Sequence, residues 1–191
     1  MSALPQRRKI SVGDYLVMER VSPVKHEYFN GEISQMAGAS EEHAVISANI
    51  TISIGSQLKD RPCKTYTSDM LVHIPATGLF TYPDVTVTCE KSAMLDDSYL
   101  DTLLNPTLIV EVLSPSTEAF DKGDKFDHYR SIESFREYLL VWQDKRRVAR
   151  YTKSDNNSWV LTDFIGDEAL IELSSIGCVL SMSDIYSKVD M

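Results

Sequence analysis

The sequence predicts an α/β (α+β) protein built around a mixed β-sheet. Segments whose apolar residues recur at helical spacing are followed by short segments rich in β-branched and aromatic residues. The predicted order of helix, three strands, helix and strand is typical of a fold in which helices cover a sheet. The last of these strands, Glu137 to Trp142, is almost continuously apolar, which favours a place at the centre of the sheet.

The elements of this core follow one another closely along the chain. A short amphipathic helix is expected from Ser11, which suits a helix cap, to Arg20. A longer helix is expected from Ser40 to about Lys59, with acidic residues at its start where the helix dipole favours them. The three strands are expected at Lys64 to Ile74, Tyr82 to Cys89 and Thr107 to Leu113. A polar segment from Asp121 to Ile132 is predicted to form the second core helix.

Turn-forming residues predict a hairpin on each side of the core. Asn30-Gly31 suits a tight hairpin turn between His26–Phe29 and Glu32–Met36, because both turn positions tolerate positive φ. A polar cluster at 153–158 separates Val148–Tyr151 from Trp159–Phe164 and predicts a C-terminal hairpin. Residues 183–186 are expected to form a capped helical turn.

Composition indicates one domain spanning residues 1–191. The chain is 43% hydrophobic, long enough for a sizeable core, and free of repeats or long linkers.

The three cysteines, Cys63, Cys89 and Cys178, are odd in number and form no CxxC pair, so we expect neither a disulfide framework nor a zinc site. No apolar stretch approaches membrane-spanning length, and the N-terminus lacks the apolar segment of a signal peptide. These features predict a soluble protein in a reducing, cytoplasmic compartment, with no membrane partner.

The net charge of −9 counts against an enzyme that binds nucleic acid, because phosphate binding normally uses clustered lysine and arginine. A local basic run partly offsets it: Lys145, Arg146, Arg147 and Arg150. Charge runs are usually on the surface, so a solvated turn or strand edge is the favoured interpretation of this run.

Two acidic residues stand inside apolar strands. Asp84 lies at the start of the apolar strand in the segment Tyr82–Val87, and Glu111 lies in the middle of Leu108–Leu113. A carboxylate in such surroundings costs several kcal/mol unless it is paired, hydrogen-bonded, protonated or bound to a metal. Two carboxylates from neighbouring strands could share a hard cation such as Mg²⁺ or Mn²⁺, with the backbone carbonyl of Val112 and water completing the coordination.

Structural alternatives exist for both acids. Glu111 could form a core salt bridge with Lys125 or Arg130, because buried ion pairs also place acids in strands. A Pro-Asp dipeptide such as Pro83-Asp84 is also common turn chemistry. Metal binding is favoured only by the presence of the two acids on adjacent predicted strands.

Several motifs resemble the Uma-type restriction endonuclease family, which is abundant in cyanobacteria and belongs to the PD-(D/E)XK nuclease superfamily. The likeness covers nearly the whole chain, and the run NPTLIVEVLSPST at 105–117 is its most specific part. The other matching motifs are Glu27 with Asn30-Gly31-Glu32-Ile33, Gly38-Ala39-Ser40 with His43, Tyr66–Met70, Tyr82-Pro83-Asp84, and Asp121 with Lys125 and Tyr129-Arg130.

The resemblance implies a restriction endonuclease-like core ordered αβββαβ, with Asp84 and Glu111 as the acidic motif residues. Leu113 stands where the superfamily pattern would place lysine. Relatives of this type carry the lysine on the following helix, where Lys125 is the matching position and Lys122 the reserve. Lys125 could also be a surface lysine paired with Asp121 or Tyr129, which lie one helical turn away on the same face.

Glu27, His43 and Tyr129 match family positions and could line the same cleft. A lone histidine is more often a capping or hydrogen-bonding residue, so both readings of His43 stay open. Asp69 could equally be structural, closing a turn.

Together these residues imply a metal-dependent endonuclease that hydrolyses DNA, with Asp84, Glu111 and Lys125 as its catalytic residues. Lys125 would orient or deprotonate a metal-bound water, or stabilise the phosphate oxygens.

The alternative is a catalytically degenerate nuclease fold that acts as a binding or assembly module. A small-molecule hydrolase is disfavoured, because the sequence has no GxSxG, phosphate-loop or HExxH motif. A homodimer is expected by analogy with restriction enzymes.

Overall fold

The computed structural model describes residues 9–96, 99, 101–115 and 117–190. Ser116, within the run at 105–117, and the N-terminal residues 1–8 lie outside them. The helices are α1 Val12–Glu19, α2 Glu41–Gln57, α3 Glu118–Lys122, α4 Asp124–Tyr129 and α5 Met182–Ile185. The strands are β1 His26–Phe29, β2 Glu32–Gln35, β3 Lys64–Thr67, β4 Leu71–Ile74, β5 Leu79–Thr81, β6 Val85–Thr88, β7 Thr102–Leu103, β8 Leu108–Leu113, β9 Glu137–Trp142, β10 Arg147–Lys153, β11 Trp159–Ile165, β12 Leu170–Leu173 and β13 Cys178–Ser181.

The strands form a central sheet, a second sheet and a separate hairpin. Within the described residues, the central sheet has the order β11-β10-β9-β8-β6-β3, and β8 and β9 are its parallel pair. The second sheet, over the same ranges, has the order β2-β1-β5-β4-β7. Strands β12 and β13 pair only with each other within the part of the chain described. The predicted mixed sheet and both predicted hairpins are confirmed.

The predicted αβββαβ order is present in the central sheet and the helices that cover it. It consists of α2, the strands β3, β6 and β8, the helix pair α3 and α4, and β9. The strands β4, β5 and β7 interrupt this order along the chain, but they belong to the second sheet.

Two predicted elements are divided in the structure. The strand expected from Lys64 to Ile74 is broken by a turn at 68–70, so β3 joins the central sheet while β4 joins the second sheet. The turn is closed by a hydrogen bond from Met70 N to Thr67 O. The helix expected from Asp121 to Ile132 begins earlier, at Glu118, and is interrupted at Gly123. Its first part was missed because a run of Pro and Ser precedes it.

The central sheet separates two apolar layers. On one face, α2, α5 and the β12-β13 hairpin pack with Ile50, Val110 and Leu180. On the other face, α4 contributes to an aromatic layer that includes Tyr129, Tyr138 and the β8 residue Ile109. Because successive residues of a strand face opposite sides, Glu111 points into this second, aromatic layer.

Cys63 and Cys89 form a disulfide, so the expectation that no disulfide would be present is wrong. The two residues extend the antiparallel β3-β6 ladder by one position beyond the pair Lys64 and Thr88. This proximity is long-range, since the cysteines are 26 residues apart, and cysteine spacing alone did not reveal it. Cys178 is a buried free thiol.

Among the described residues, every helix is too short or too polar to cross a lipid bilayer.

The stability of the fold should depend on the face of α2 that packs on the central sheet. Ile50 is fully buried, whereas Ile52, two residues later, is 69% exposed. Replacement Ile50→Ala should lower the free energy of unfolding by about 2–5 kcal/mol, because it leaves a cavity in the core. Ile52→Ala is the matched control and should change it by less than about 0.5 kcal/mol. Equal effects in urea denaturation would contradict this packing.

Candidate active site

Glu111 is a buried acid in the middle of the central sheet. Its residue exposure is 4%, and its strand neighbours are apolar on both sides. Glu111 Oε1 accepts a hydrogen bond of 2.7 Å from the hydroxyl of Tyr129. The same oxygen lies 3.0 Å from Lys125 Nζ. The carboxylate is thus compensated by an ion pair and a hydrogen bond, as its burial requires.

Lys125 is the cation around which the site is assembled. It is 5% exposed, and its ammonium lies 3.2 Å from Glu27 Oε1 and 3.4 Å from Asp121 Oδ1, in addition to Glu111. Burial by itself would lower the pKa of Lys125, but the carboxylates of Glu111, Glu27 and Asp121 raise it well above its usual value. Lys125 is therefore a charged ammonium in this structure.

Three separate parts of the chain supply the acids around Lys125. Glu111 comes from β8, and Asp121 precedes Lys125 by four residues, which places both on one helical face despite the interruption at Gly123. Glu27 comes from β1 of the N-terminal hairpin, where the hydroxyl of Thr81 donates a 2.5 Å hydrogen bond to it. The hairpin is therefore part of the site.

Asp84 lies immediately before β6 and is held at both carboxylate oxygens. Its Oδ2 accepts a hydrogen bond of 2.7 Å from the backbone N–H of Val112. Its Oδ1 lies 2.9 Å from His43 Nε2. The backbone N–H and C=O of one strand residue point to the same side of the strand. The carbonyl of Val112 is therefore directed to the Asp84 side of β8.

His43 stands in the first turn of α2, behind the cap formed by Ser40. Burial by itself would lower the pKa of His43, but the hydrogen bond and negative charge of Asp84, together with Asp121, raise it. His43 therefore orients a carboxylate of the site.

The acids outnumber the cations in this cluster. Four carboxylates, those of Glu27, Asp84, Glu111 and Asp121, surround Lys125 and His43. Burial raises the pKa of Glu111 to about 8, and the charges of Asp121 and Asp84 act in the same direction while Lys125 opposes them. Burial likewise raises the pKa of Asp121. The site therefore has an excess of negative charge that further positive charge would relieve.

The donor set of the site fits a hard divalent cation. Asp84 and Glu111 offer carboxylate oxygens, and the Val112 carbonyl lies on the same side of its strand as the Asp84 contact. Over the ranges described, no three His, Cys, Asp or Glu side chains are grouped closely enough to hold an ion by themselves. Mg²⁺ commonly binds through one or two carboxylates and keeps several waters, so Asp84 and Glu111 could hold it only with water completing the coordination.

The structure brings together most of the residues singled out from the sequence. Glu27, Tyr129 and Lys125 contact one another or Glu111, and His43 contacts Asp84. The reserve residue Lys122 instead pairs with Glu118 on the exposed side of α3. Asp69 is exposed and pairs with Lys25 beside a turn.

Sequence reasoning missed two members of the cluster. Asp121 was predicted as a possible partner of a surface Lys125 but not as a site residue; it is 4% exposed and contacts the buried lysine directly. Its i, i+4 spacing from Lys125 was the available signal. Thr81 gave no signal, because its role depends on the pairing of β1 with β5 across a long loop.

The pKa of Glu111 makes stability depend on pH. Glu111 binds a proton more tightly in the folded protein than in the unfolded chain, since its pKa rises from 4.5 to about 8. Its contribution to the free energy of unfolding is therefore greatest below the unfolded pKa and falls as pH rises towards 8, by at most about 1.4 kcal/mol per pH unit.

Glu111→Gln removes this titration. The free energy of unfolding of the variant, measured in urea at pH values between about 5 and 8, should fall less than that of the wild type. A fall equal to that of the wild type would show that Glu111 does not carry the raised pKa.

The comparisons with known proteins agree with this architecture. The model of a family described as "Uma2: Putative restriction endonuclease" matches residues 12–183. An uncharacterised protein of Synechocystis, slr1290, is 37% identical over 178 residues, which cover 93% of this chain and 92% of that protein. A second Synechocystis protein, sll1609, is 36% identical over 174 residues and covers 91% of this chain and 98% of its own.

A solved structure shares the fold. It is a crystal structure from Anabaena variabilis described as a "putative nuclease belonging to DUF820", with a TM-score of 0.75 and 19% sequence identity. The match covers 93% of this chain and 98% of that one. With a family model that spans most of the chain and relatives above 35% identity, the chain belongs to the Uma2 family of proteins described as "Putative restriction endonuclease".

Proposed function

We propose that this protein is a metal-dependent endonuclease that hydrolyses phosphodiester bonds in DNA. The observation that carries the proposal is the position of Lys125, a buried ammonium 3.0 Å from Glu111. Leu113 stands where the superfamily pattern places lysine, and Lys125 of α4 would supply the equivalent cation to the same carboxylate. The family description and the fold of the Anabaena neighbour agree with this activity.

Asp84, Glu111 and the carbonyl of Val112 are the groups that would hold the metal. When bound, Mg²⁺ or Mn²⁺ supplies Lewis-acid polarisation of a phosphate oxygen and lowers the pKa of a coordinated water. The contacts of Glu111 with Tyr129 and with Lys125 both use Oε1. We therefore expect a cation to bind Oε2.

The other groups of the site would hold the metal-binding carboxylates in place and supply a positive charge beside them. Lys125 places a positive charge beside the metal-binding carboxylate, where it would orient the attacking water or stabilise the negative phosphate oxygens. Tyr129 holds Glu111 through its hydroxyl. His43 and the Val112 N–H hold the two oxygens of Asp84, which limits the reorganisation needed during the reaction.

The basic run lies at a position that could receive DNA. Strands β8 and β9 are parallel, so their carboxyl ends reach the same edge of the central sheet. Glu111 lies two residues before the last residue of β8, and the loop carrying Lys145 and Arg146 directly follows β9. Arg146 and Arg147 also pair with Asp167 and Asp163, which reduces the charge they present to phosphate. Two such sites in a two-fold dimer would cut both strands of a duplex.

A second candidate is a nuclease fold that has lost catalysis and acts as a binding or assembly module. Leu113 at the usual lysine position and the net charge of −9 favour it. The two candidates differ in whether cleavage depends on the acids of the site.

Substitutions in the cluster should abolish cleavage. With Mg²⁺ or Mn²⁺ present, the wild type should nick supercoiled plasmid, and Asp84→Asn, Glu111→Gln and Lys125→Met should each reduce the rate by about 100-fold or more. Lys122→Met is the matched control, because Lys122 lies on the exposed side of the neighbouring helix, and it should retain the wild-type rate.

Thermal unfolding of each variant checks that the fold is intact. A wild-type protein that nicks no plasmid, single-stranded DNA or RNA with either metal would favour the non-catalytic module. Nicking that survives Glu111→Gln would place the activity elsewhere.

A further inference from the structure

A cavity of about 260 Å³ lies directly beside the acid cluster. It is formed by β1, β5 and the helices α3 and α4. Its lining combines apolar and aromatic side chains with acidic ones: Phe29, Leu79, Phe120, Asp124, Asp127 and His128. We call it the aromatic pocket.

The strand register places the aromatic pocket next to the cluster. Glu27 and Phe29 are two residues apart on β1 and so face the same side, as do Thr81 and Leu79 on β5. The strands are antiparallel with Tyr28 opposite Phe80, which puts Glu27 near Thr81 and Phe29 near Leu79. Glu27 and Thr81 belong to the acid cluster, and the neighbouring pair, Phe29 and Leu79, lines the pocket.

The helices α3 and α4 also contribute residues both to the acid cluster and to the aromatic pocket. Asp121 and Lys125 belong to the cluster, while Phe120 and Asp124, each one residue earlier, line the pocket. The ring of Phe120 lies 5.9 Å from Lys125 Nζ. A nucleotide bound with its phosphate near Lys125 could therefore place its base on this ring, since base and phosphate are joined through a single sugar.

Two phenylalanines of the pocket are partly exposed to solvent. Phe29 is 44% exposed and Phe120 is 39% exposed. The ring of Phe29 also packs edge to face against His128, with ring centres 4.8 Å apart, which holds its orientation. Exposed aromatic rings beside a phosphate-binding site are the surfaces on which nucleic-acid enzymes stack unpaired bases.

The negative charge of two aspartates at the pocket favours the binding of a base over that of a phosphate. Asp124 and Asp127 are exposed at its rim and repel phosphate, but their carboxylates can accept hydrogen bonds from the amino groups of bases. Asp127 already pairs with Arg130 at 3.2 Å, which leaves Asp124 as the better acceptor. The size of the pocket, below the roughly 300–1,000 Å³ of sites for drug-sized ligands, suits one planar base.

We propose that the aromatic pocket binds one unstacked nucleobase of the nucleic acid whose backbone is cut at the acid cluster. This inference rests on the proposed function and adds a specificity-determining element to it. Because duplex DNA must give up stacking and pairing to fill the pocket, the protein should prefer single-stranded or distorted nucleic acid over a perfect duplex.

The test is the affinity of the full chain for fluorescein-labelled oligonucleotides, measured by fluorescence anisotropy with Ca²⁺ in place of Mg²⁺, so that a divalent cation can occupy the acid cluster. A denaturing gel checks that the oligonucleotide stays intact during the measurement. Phe29→Ala and Phe120→Ala should each weaken the binding of a single-stranded oligonucleotide by about 5- to 100-fold. Phe120→Trp should keep the affinity, whereas Phe120→Leu should lose it, because leucine is apolar but cannot stack.

Val179→Ala is the matched control. Val179 is 45% exposed on β13, whose hairpin packs on the face of the central sheet opposite the acid cluster, and its replacement should leave affinity unchanged. A further probe is an oligonucleotide that has the backbone but no bases. Its affinity should be the same for the wild type and for Phe120→Ala.

The outcomes separate this inference from the proposed function. Wild-type affinity in both alanine variants, or no binding of any oligonucleotide by the wild type, would overturn the base pocket. Plasmid nicking that depends on Glu111 would still support the nuclease in the first case. Phenylalanine-dependent binding without any nicking would support the pocket and overturn the nuclease.

Discussion

The structure depends on one constraint: a carboxylate placed in the middle of a buried strand must be compensated. Glu111 is surrounded by apolar residues of β8, where an uncompensated charge would cost several kcal/mol. The protein meets this requirement with the ammonium of Lys125 and the hydroxyl of Tyr129, both from α4. Packing of α4 on the sheet therefore serves the site as well as the core.

The compensation is incomplete, so negative charge remains in the cluster. Lys125 is shared among Glu111, Glu27 and Asp121, so the cluster retains more negative than positive charge. A protein under selection for stability alone would gain from replacing such a buried ionic cluster with apolar residues. A cluster that persists with excess negative charge, beside a carboxylate fixed at both oxygens, is suited to attract and hold a divalent cation.

Sequence patterns predicted the local elements and the acids, but not their long-range neighbours. The asparagine-glycine hairpin, the capped α2 and the apolar strands β8 and β9 were predictable, because propensity and spacing determine them locally. The division of residues 64–74 between two sheets, the β12-β13 pairing and the disulfide between Cys63 and Cys89 were not. Each depends on which distant strand lies alongside, as does the contact of Thr81 with Glu27.

The most direct test of this account is isothermal titration of Mn²⁺ and Mg²⁺ into the wild-type protein and into Glu111→Gln. If excess carboxylate charge at Asp84 and Glu111 creates a metal site, the wild type will bind the ion saturably and the variant will bind it at least about tenfold more weakly, a change of 1.4 kcal/mol or more. Equal binding by both proteins, or no binding by the wild type, would contradict the metal site and with it the proposed catalytic role of the cluster.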